Sequence, residues 1–351
     1  MSMRSLTQGE VMKAIATRGA SDINAPDAFE EIDIERPSPG KEDVLVRIEA
    51  ISVNPVDTKV RAGALGEIKE PTILGWDATG IVEALGDNVS DLDIGERIYY
   101  SGEVSRPGCN AQYQLIDSRL VARAPQTLDI EEIAAMPLTA LTAWEALFDK
   151  LRLAQDTSDH ADQTLLIING AGGVGSIAIQ LARQLTNIHV IATASREQSV
   201  QWCREMGAHD VVDHHDLVNE LDGLGIETVD YIFNCHDIGV HWDNMVSLIK
   251  PLGEIVAIAE TKTQVDLNAL QGKAASFHWE FMFARPLHDV QREQQGAALA
   301  TMARLLDEGR LRSTLGEIVG PLSVENLTRA HQMLEEGHTI GKLVLTAMPQ
   351  D

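Results

Sequence analysis

The chain has 351 residues, 44% of them hydrophobic, and a formal net charge of −25 from 53 acidic and 28 basic side chains. This length favours two domains over one, and no apolar run approaches the ~18 residues that a membrane-spanning helix needs. The excess of acid argues against nucleic acid and anionic membranes as partners. The N-terminal segment lacks the apolar core of a signal peptide, and three cysteines are too few for a disulfide framework. Together these features predict a cytoplasmic protein.

The first part of the chain is predicted to be rich in β-strands. Alternating apolar residues from Val44 to Ala50 predict a strand with one buried face, and short strands follow near 80–85 and 96–100. Glycine-containing turns separate them.

From about Thr139 the pattern changes to helices and strands in alternation, which predicts a parallel sheet covered by helices. A helix at 142–151 comes first, and later apolar runs lie near 190, 211, 229–233 and 254–259. The end of the chain is predicted to hold a short strand, a helix at 324–336 and a strand at 341–346. The predicted domains are 1–136 plus 291–351, and 137–290.

A glycine motif follows the apolar run Leu165 to Ile168. The sequence G-A-G-G-V-G satisfies G-x-G-x-x-G and opens a helix whose apolar face repeats at Ile177, Leu181 and Leu185. Strand, glycine turn and helix in this order are typical of dinucleotide binding, with the pyrophosphate at the helix N-terminus. The residues predicted to form the cofactor-binding turn are Gly170, Gly172, Gly173, Val174 and Gly175.

The next predicted strand, 189–194, indicates which nucleotide is bound. An NAD site usually places Asp or Glu about 20 residues beyond the motif, on the ribose 2′-hydroxyl. Here Ser195 and Arg196 occupy that place, and a hydroxyl with a guanidinium suits a 2′-phosphate. We therefore predict NADP(H) as the cofactor. The alternative is that Arg196 is a solvated residue opening the next helix.

Several further segments resemble the medium-chain dehydrogenase/reductase superfamily, in particular its quinone oxidoreductases and zinc-type alcohol dehydrogenase-like proteins. They are I-S-V-N-P-V-D-T-K-V-R (51–61), L-G-W-D-A-T-G (74–80), P-L-T-A-L-T-A-W-E-A-L (137–147), the glycine motif, and the closing G-K-L-V-L. The resemblance covers nearly the whole chain. It implies an α/β protein in which a Rossmann dinucleotide-binding domain is inserted in a β-rich GroES-like catalytic domain.

Zinc-dependent members of the superfamily bind the metal through Cys and through the His of a Gly-His-Glu motif. No thiol occurs at 51–54, and Trp76 stands at the place of the histidine, where an indole cannot ligate zinc. We predict no metal. Trp76 has two interpretations, an apolar wall beside the nicotinamide or a packing residue of the core.

The resemblance also implies which residues act on the substrate. Asn54 would donate a hydrogen bond to a substrate carbonyl, Lys59 would stabilise an enolate or quinol oxygen, and Thr142 would lie near the nicotinamide. Asn54-Pro55 is also a strong turn signal. Asp57 is either the cap of that turn or, less favoured, a proton donor.

Further residues are predicted to lie beside the cofactor. By resemblance His214 would lie beside the adenosine phosphate. Cys235 and His236 follow a predicted strand at the carboxyl end of the sheet and would line the nicotinamide side of the cleft. A nucleophilic pair of Cys235 and His236 is disfavoured because adjacent side chains rarely face each other.

These features predict an NADPH-dependent, zinc-independent oxidoreductase that transfers hydride to a small electrophile, either a quinone or an α,β-unsaturated carbonyl compound. The alternatives are a non-catalytic NADPH-binding sensor or structural protein, and a zinc-dependent alcohol dehydrogenase. The aromatic run 276–283 suits either core packing or an edge-strand contact. Because such contacts are common in the superfamily, we predict a homodimer.

Overall fold

The computed structural model describes residues 10–20, 22–156 and 158–349. They form two compact units. The first unit comprises the chain up to Pro137, Arg285–Ala303 and the chain from Glu317, and the second comprises Leu138–Ala284 and Arg304–Gly316. The predicted domains instead assign 304–316 to the first unit. This segment belongs to the second because Gln180 holds the backbone of Arg312 through two hydrogen bonds, of 2.9 and 3.1 Å.

The strands and α-helices of the described residues are numbered in chain order. The strands are β1 Val11–Thr17, β2 Glu30–Glu35, β3 Asp43–Val53, β4 Thr72–Ile73, β5 Ala78–Leu85, β6 Arg97–Tyr100, β7 Tyr113–Asp117, β8 Val121–Arg123, β9 Thr164–Ile168, β10 His189–Thr193, β11 Asp210–Val212, β12 Val229–Asn234, β13 Ile249–Ala257, β14 Ser276–Trp279, β15 Leu315–Pro321 and β16 Lys342–Thr346. The α-helices are α1 Pro55–Arg61, α2 Ile130–Ala134, α3 Pro137–Trp144, α4 Gly173–Leu185, α5 Glu197–Met206, α6 Leu217–Gly223, α7 Ile238–Leu248, α8 Ala284–Leu287, α9 Glu293–Asp307 and α10 Val324–Glu335.

The first unit is built on antiparallel strands. One sheet has the order β15-β16-β3-β5-β6-β8, with β7 also paired to β3, and a smaller sheet has the order β2-β1-β4. Strand β3 is central and pairs antiparallel with β5, β7 and β16. Its alternating residues Val44, Val46, Ile48 and Ala50 are at most 3% exposed, which confirms the buried face that the sequence predicts.

The second unit contains a six-stranded sheet in the order β11-β10-β9-β12-β13-β14. Every neighbouring pair is parallel, as the alternation of helices and strands predicts. The chain moves outward from β9 in one direction through β10 and β11, and in the other from β12 through β13 and β14. Ligands bind at the carboxyl ends of the strands at such a switch point.

One helix differs from the prediction. The helix expected at 142–151 begins five residues earlier, at Pro137, and continues from Glu145 to Lys150 as a π-helix. Proline suits the first turn of a helix because its missing N–H would have no partner there, and this explains the earlier start. None of the helices within the described ranges is both long and apolar enough to cross a membrane.

Candidate functional site

The glycine turn after β9 depends on close backbone packing. A Cβ atom on Gly170 would lie 2.7 Å from the Cβ of Ala192, and one on Gly175 would lie 2.3 Å from the carbonyl oxygen of Asn169. No larger residue fits at either position without a backbone shift. Gly173, Val174 and Gly175 are the first three residues of α4, and amides of a first helical turn have no acceptor within the helix. They can bind an anion there.

Two neighbouring strands bring Ser195, Arg196 and His214 to the same sheet edge. Strands β10 and β11 are parallel, and the amide of Ala194 donates to the carbonyl of Val212 over 3.0 Å. Ser195 and Arg196 follow Ala194 and are exposed, and the half-buried His214 lies just beyond the end of β11. The two residues after Ala194 therefore offer a hydroxyl and a guanidinium rather than a carboxylate.

Cys235 leaves β12 beside the strand that carries the glycine turn. Its amide donates to the carbonyl of Ile168 over 3.1 Å. Burial raises the pKa of the Cys235 thiol well above its usual value, so the thiol stays protonated at neutral pH. A nucleophilic Cys235–His236 pair is therefore not supported.

Thr142 lies on α3 in the second unit. Its Oγ1 donates to the carbonyl of Leu138 over 2.9 Å, and the residue is 6% exposed. This is the ordinary hydrogen bond of a threonine inside a helix. This hydrogen bond does not assign a chemical role to Thr142.

The first unit holds a group of buried polar side chains, which we call the buried network. Its members come from the end of β3, from the turn into α1, from α1 itself, from the residue before β5 and from β16, and each is at most 3% exposed: Ser52, Asn54, Asp57, Asp77 and Lys342. The Asp77 carboxylate is its centre. It accepts hydrogen bonds from Ser52 Oγ at 2.6 Å and Asn54 Nδ2 at 3.1 Å, and it lies 3.3 Å from Lys342 Nζ.

The buried network corrects the role predicted for Asn54. Its Oδ1 accepts a hydrogen bond from Lys342, while its Nδ2 donates to Asp77 and more weakly to the carbonyl of Ser52. Only this orientation of the amide suits an ammonium on one side and a carboxylate on the other. Because its amide hydrogens already have protein acceptors, Asn54 is not available to donate to a substrate carbonyl. It holds the turn before α1 in place instead.

Asp57 caps that same turn, as the favoured interpretation predicts. Its Oδ2 accepts from the amide of Asn54 over 2.6 Å. Burial raises the pKa of Asp57 to about 7, although the hydrogen bond from Asn54 and the charge of Lys342 oppose the shift. Burial also lowers the pKa of Lys342, against the attraction of Asp77 and Asp57. Two carboxyl groups and one ammonium are buried together, so the network is electrically balanced when one carboxyl is protonated.

Lys59 is half-buried on α1, two residues after Asp57. It lies on the helix that the buried network anchors. This position is compatible with a lysine that stabilises a substrate oxygen, and that role stays a prediction.

Catalytic zinc does not fit the residues of the first unit. Trp76 is 2% exposed and packs beside Gly102, where an added Cβ would lie 3.1 Å from the indole. This supports the core-packing interpretation of Trp76. The thiol of Cys109 points at the carbonyl of Asp77 over 3.7 Å, and burial raises its pKa. Among the described residues, the group of three donors close enough to share a metal ion is Asp213, His214 and His215, which lies in the second unit.

Asp77 and Lys342 were not among the residues that the sequence predicts to be functional. The only local signal is a charged residue at the start of an apolar strand, as in G-K-L-V-L, where a buried lysine needs an anionic partner.

Comparison with known proteins identifies the family. Residues 40–126 match the alcohol dehydrogenase GroES-like domain, and residues 206–345 match the zinc-binding dehydrogenase family. A zinc-type alcohol dehydrogenase-like protein of Staphylococcus epidermidis is 42% identical over 338 residues, covering 95% of this chain and 99% of the relative. The NADPH-dependent alkenal/one oxidoreductase of Arabidopsis thaliana chloroplasts is 27% identical, covering 94% of this chain and 78% of that protein.

Solved structures that resemble this chain belong to the same group of proteins. A Rhizobium etli protein described as a zinc-dependent alcohol dehydrogenase has a TM-score of 0.92 and 39% identity, covering 97% of this chain and all of its own. The quinone oxidoreductase of Coxiella burnetii has a TM-score of 0.76 and 26% identity, covering 96% of this chain and 99% of its own. The first unit thus contains a GroES-like domain and the second is Rossmann-like, as the sequence predicts. The chain belongs to the zinc-type alcohol dehydrogenase-like proteins, oxidoreductases of the medium-chain dehydrogenase/reductase superfamily.

Proposed function

We propose that this oxidoreductase uses NADPH to reduce a quinone or an α,β-unsaturated carbonyl compound without a metal ion. The observation that carries the proposal is the edge of the parallel sheet, where the glycine turn, Ser195 and Arg196 leave neighbouring strands. A pyrophosphate suits the first-turn amides of α4, and a 2′-phosphate suits the hydroxyl and guanidinium after β10. The Arabidopsis relative, named as NADPH-dependent, supports the same cofactor.

The proposed class of acceptor follows from the finding that the residues of the first unit do not suit catalytic zinc. Oxidation of an alcohol through a metal alkoxide requires a Lewis acid, but no thiol occurs at 51–54 and Trp76 stands where a histidine ligand would be needed. Quinones and enones need only modest polarisation to accept hydride. Relatives named as alkenal/one and quinone oxidoreductases support this acceptor class.

The first-turn amides of α4, with Ser195 and Arg196, would hold NADPH, which would supply a hydride to the enone or quinone, and one proton from solvent would complete the reduction. Lys59 stabilises the developing negative charge on the acceptor oxygen. Asn54 and Asp77 are positioning residues, since they fix the turn from which α1 begins. Thr142 remains a predicted neighbour of the nicotinamide.

The proposal is tested by following NADPH oxidation with a panel of quinones, enones and enals, and NADP⁺ reduction with primary alcohols. Each assay uses tag-free protein, with and without a metal chelator. We expect turnover with quinones or enones that the chelator does not change. Elemental analysis of the same sample should show no stoichiometric zinc.

Three results would contradict the proposed function. NADPH binding without turnover on any acceptor would favour the non-catalytic alternative. Alcohol oxidation that stops with the chelator would favour a zinc-dependent dehydrogenase. Equal rates with NADH and NADPH would remove the cofactor assignment.

A further inference from the structure

Three consecutive side chains that follow β11 bring their donor atoms together, and we call them the Asp-His-His turn: Asp213, His214 and His215. Strand β11 ends at Val212, and a 3-10 helix begins at His214 with Asp213 as its cap. One carboxylate oxygen and one ring nitrogen from each histidine all lie within 4.8 Å of one another. The turn lies in the second unit, whereas the residues that do not suit catalytic zinc lie in the first.

The spacing of these donor atoms is close to that around a bound ion. Ligand atoms at about 2.0–2.1 Å from a tetrahedral zinc ion are roughly 3.3 Å from one another. In the turn, Asp213 Oδ1 and His215 Nδ1 are 2.7 Å apart, and the whole donor group lies within 4.8 Å. Small rotations of the side chains would therefore place an ion among the three donors.

The backbone of the Asp-His-His turn is held in place without an ion. Asp213 Oδ1 accepts from the amide of His215 over 2.9 Å, and the carbonyl of Val212 accepts from the amide of Ala194 over 3.0 Å. An ion would therefore have to order side chains and not the backbone, which lowers the entropic cost of binding. Because Asp213 and His214 are half-buried and His215 is exposed, an ion can enter from solvent.

A second observation comes from a buried imidazole beside the turn. His241 on α7 is 4% exposed, and its ring stands edge-on to His214 at an interplanar angle of 86° with centroids 6.2 Å apart. Its buried Nδ1 has no hydrogen-bond partner among the described residues. An imidazole that binds a metal usually donates its other N–H to a neighbouring acceptor. A neutral His241 offers such an acceptor on the protein side of His214.

The donor set determines which class of metal suits the turn. Two imidazole nitrogens with one carboxylate oxygen suit zinc, nickel and copper ions, whereas magnesium and calcium prefer oxygen ligands alone. Three protein ligands leave one position of a tetrahedral site to water. Because four ligands in a closed site bind zinc more tightly, we expect a Kd for Zn²⁺ of roughly 1–10 µM here.

We propose that the Asp-His-His turn binds one divalent ion of the zinc, nickel and copper class, with Asp213, His214 and His215 as ligands and His241 as a positioning residue. This inference departs from the sequence-based prediction of no metal. It goes beyond the proposed function and does not rest on it, since the proposed hydride transfer does not use this ion. At micromolar affinity, protein purified without added metal loses the ion.

The test is a calorimetric titration of the full, tag-free chain with Zn²⁺ at about pH 7.5, where imidazoles are mainly neutral, after removal of the chelator and without nucleotide. Mg²⁺ is titrated in parallel, because a chain with a net charge of −25 attracts any divalent ion. We expect one Zn²⁺ per chain and no saturable binding of Mg²⁺. With Cu²⁺ bound instead, electron paramagnetic resonance should show two nitrogen ligands.

His214→Gln and His215→Gln should each weaken Zn²⁺ binding by at least roughly tenfold and leave one nitrogen in the copper spectrum. His189→Gln is the matched control. His189 Nε2 also lies 2.7 Å from a carboxylate, Asp210 Oδ2, and its ring stacks on His209 with centroids 4.4 Å apart. Within the described ranges these side chains do not form a group of three converging donors, so this control should bind Zn²⁺ as the parent does.

Two variants test His241 as a positioning residue. His241→Phe should weaken Zn²⁺ binding by roughly tenfold while the copper spectrum still shows two nitrogens, because both ligating imidazoles remain. His241→Gln keeps a hydrogen-bond acceptor and should restore part of the affinity. Thermal unfolding of each variant without metal should match that of the parent, which separates a lost ligand from a lost fold.

Zn²⁺ binding no tighter than that of Mg²⁺ would overturn this inference, since it would show only the attraction of an acidic surface. Zn²⁺ affinity that is unchanged in both His214→Gln and His215→Gln would also overturn it, because the ion would then bind elsewhere. Neither result bears on NADPH oxidation, which is assayed separately with the chelator present.

Discussion

Asp57 is a carboxyl group buried away from water. It is 1% exposed, shares the buried network with a second carboxylate and has a single ammonium nearby. Its folded-state pKa of about 7 exceeds the ordinary aspartate value of 3.8, so the folded protein holds the proton more tightly than the unfolded chain does. The stabilisation from this proton is complete below about pH 4 and is lost as the pH rises through 7.

We therefore predict that Asp57→Asn loses this pH dependence. Asparagine is neutral and keeps an oxygen that can accept from the amide of Asn54. The free energy of unfolding of the variant, relative to the parent, should increase by roughly 2–3 kcal/mol between pH 5 and pH 8, because the parent loses about 1.36 kcal/mol per pH unit from pH 5 up to the Asp57 pKa of about 7.

Denaturant unfolding at both pH values measures this difference. The exposed Asp87 gives a matched control, because Asp87→Asn should change the unfolding free energy by the same small amount at each pH. If the difference between Asp57→Asn and the parent were the same at both pH values, Asp57 would already be ionised in the folded protein at the lower pH.

At the scale of elements, the turn between β9 and α4 leaves no room for a side chain at Gly170 or Gly175. We predict that Gly175→Ala destabilises the second unit by several kcal/mol and abolishes NADPH binding, because the added Cβ would lie 2.3 Å from the oxygen of Asn169 and 2.7 Å from Gly170 Cα.

Gly223→Ala is the control for this change, measured by thermal unfolding and NADPH titration. Gly223 ends α6 with no atom within 4 Å of an added Cβ, so alanine there should be neutral or stabilise by up to about 1 kcal/mol. Normal NADPH affinity in Gly175→Ala would show that the turn adapts and does not hold the cofactor.

The loop after β10 gives a second prediction at this scale. Ser195→Asp combined with Arg196→Ala should reverse the preference for NADPH over NADH, because a carboxylate repels the 2′-phosphate and accepts from the ribose 2′-hydroxyl. We expect a change of at least tenfold, about 1.4 kcal/mol, in the ratio of the two kcat/KM values. Unchanged selectivity would mean that Arg196 only opens α5 as a solvated residue.

The parts of the fold that the sequence predicts are those determined by residues close together in the chain. The apolar run, the glycine spacing and the helical repeat from Ile177 to Leu185 lie within one short segment, and the structure confirms the strand, turn and helix there. Alternation in β3 is equally local.

Contacts between residues that are distant in sequence could not be predicted from the sequence in the same way. Asp77 and Lys342 meet because β16 pairs with the end of β3, and neither residue's neighbours in sequence show this. The rings of His214 and His241 lie 6.2 Å apart although the two residues are far apart in sequence. The role predicted for Asn54 differs from its role in the structure for the same reason. Its partners Asp77 and Lys342 are distant from it in sequence.

At the scale of the whole molecule, the sheet of the second unit ends in a strand that one further chain could extend. In the described sheet β14 is terminal and pairs with β13 alone. Trp279 is 50% exposed and Phe281 is 45% exposed beside this edge, which is unusual for large aromatic side chains. An uncovered edge of this kind favours pairing with another strand.

We predict a homodimer in which β14 pairs with β14 of a second copy, because a two-fold axis lets one edge strand meet its own copy antiparallel. Size-exclusion chromatography with light scattering should give twice the monomer mass at micromolar concentration. Trp279→Lys should shift the protein to monomer, since a lysine at the edge opposes strand pairing and removes buried apolar area. Val240→Lys, at a residue 63% exposed on α7, is the control and should stay dimeric. A parent protein that elutes as monomer would leave β14 an uncovered edge and remove the dimer.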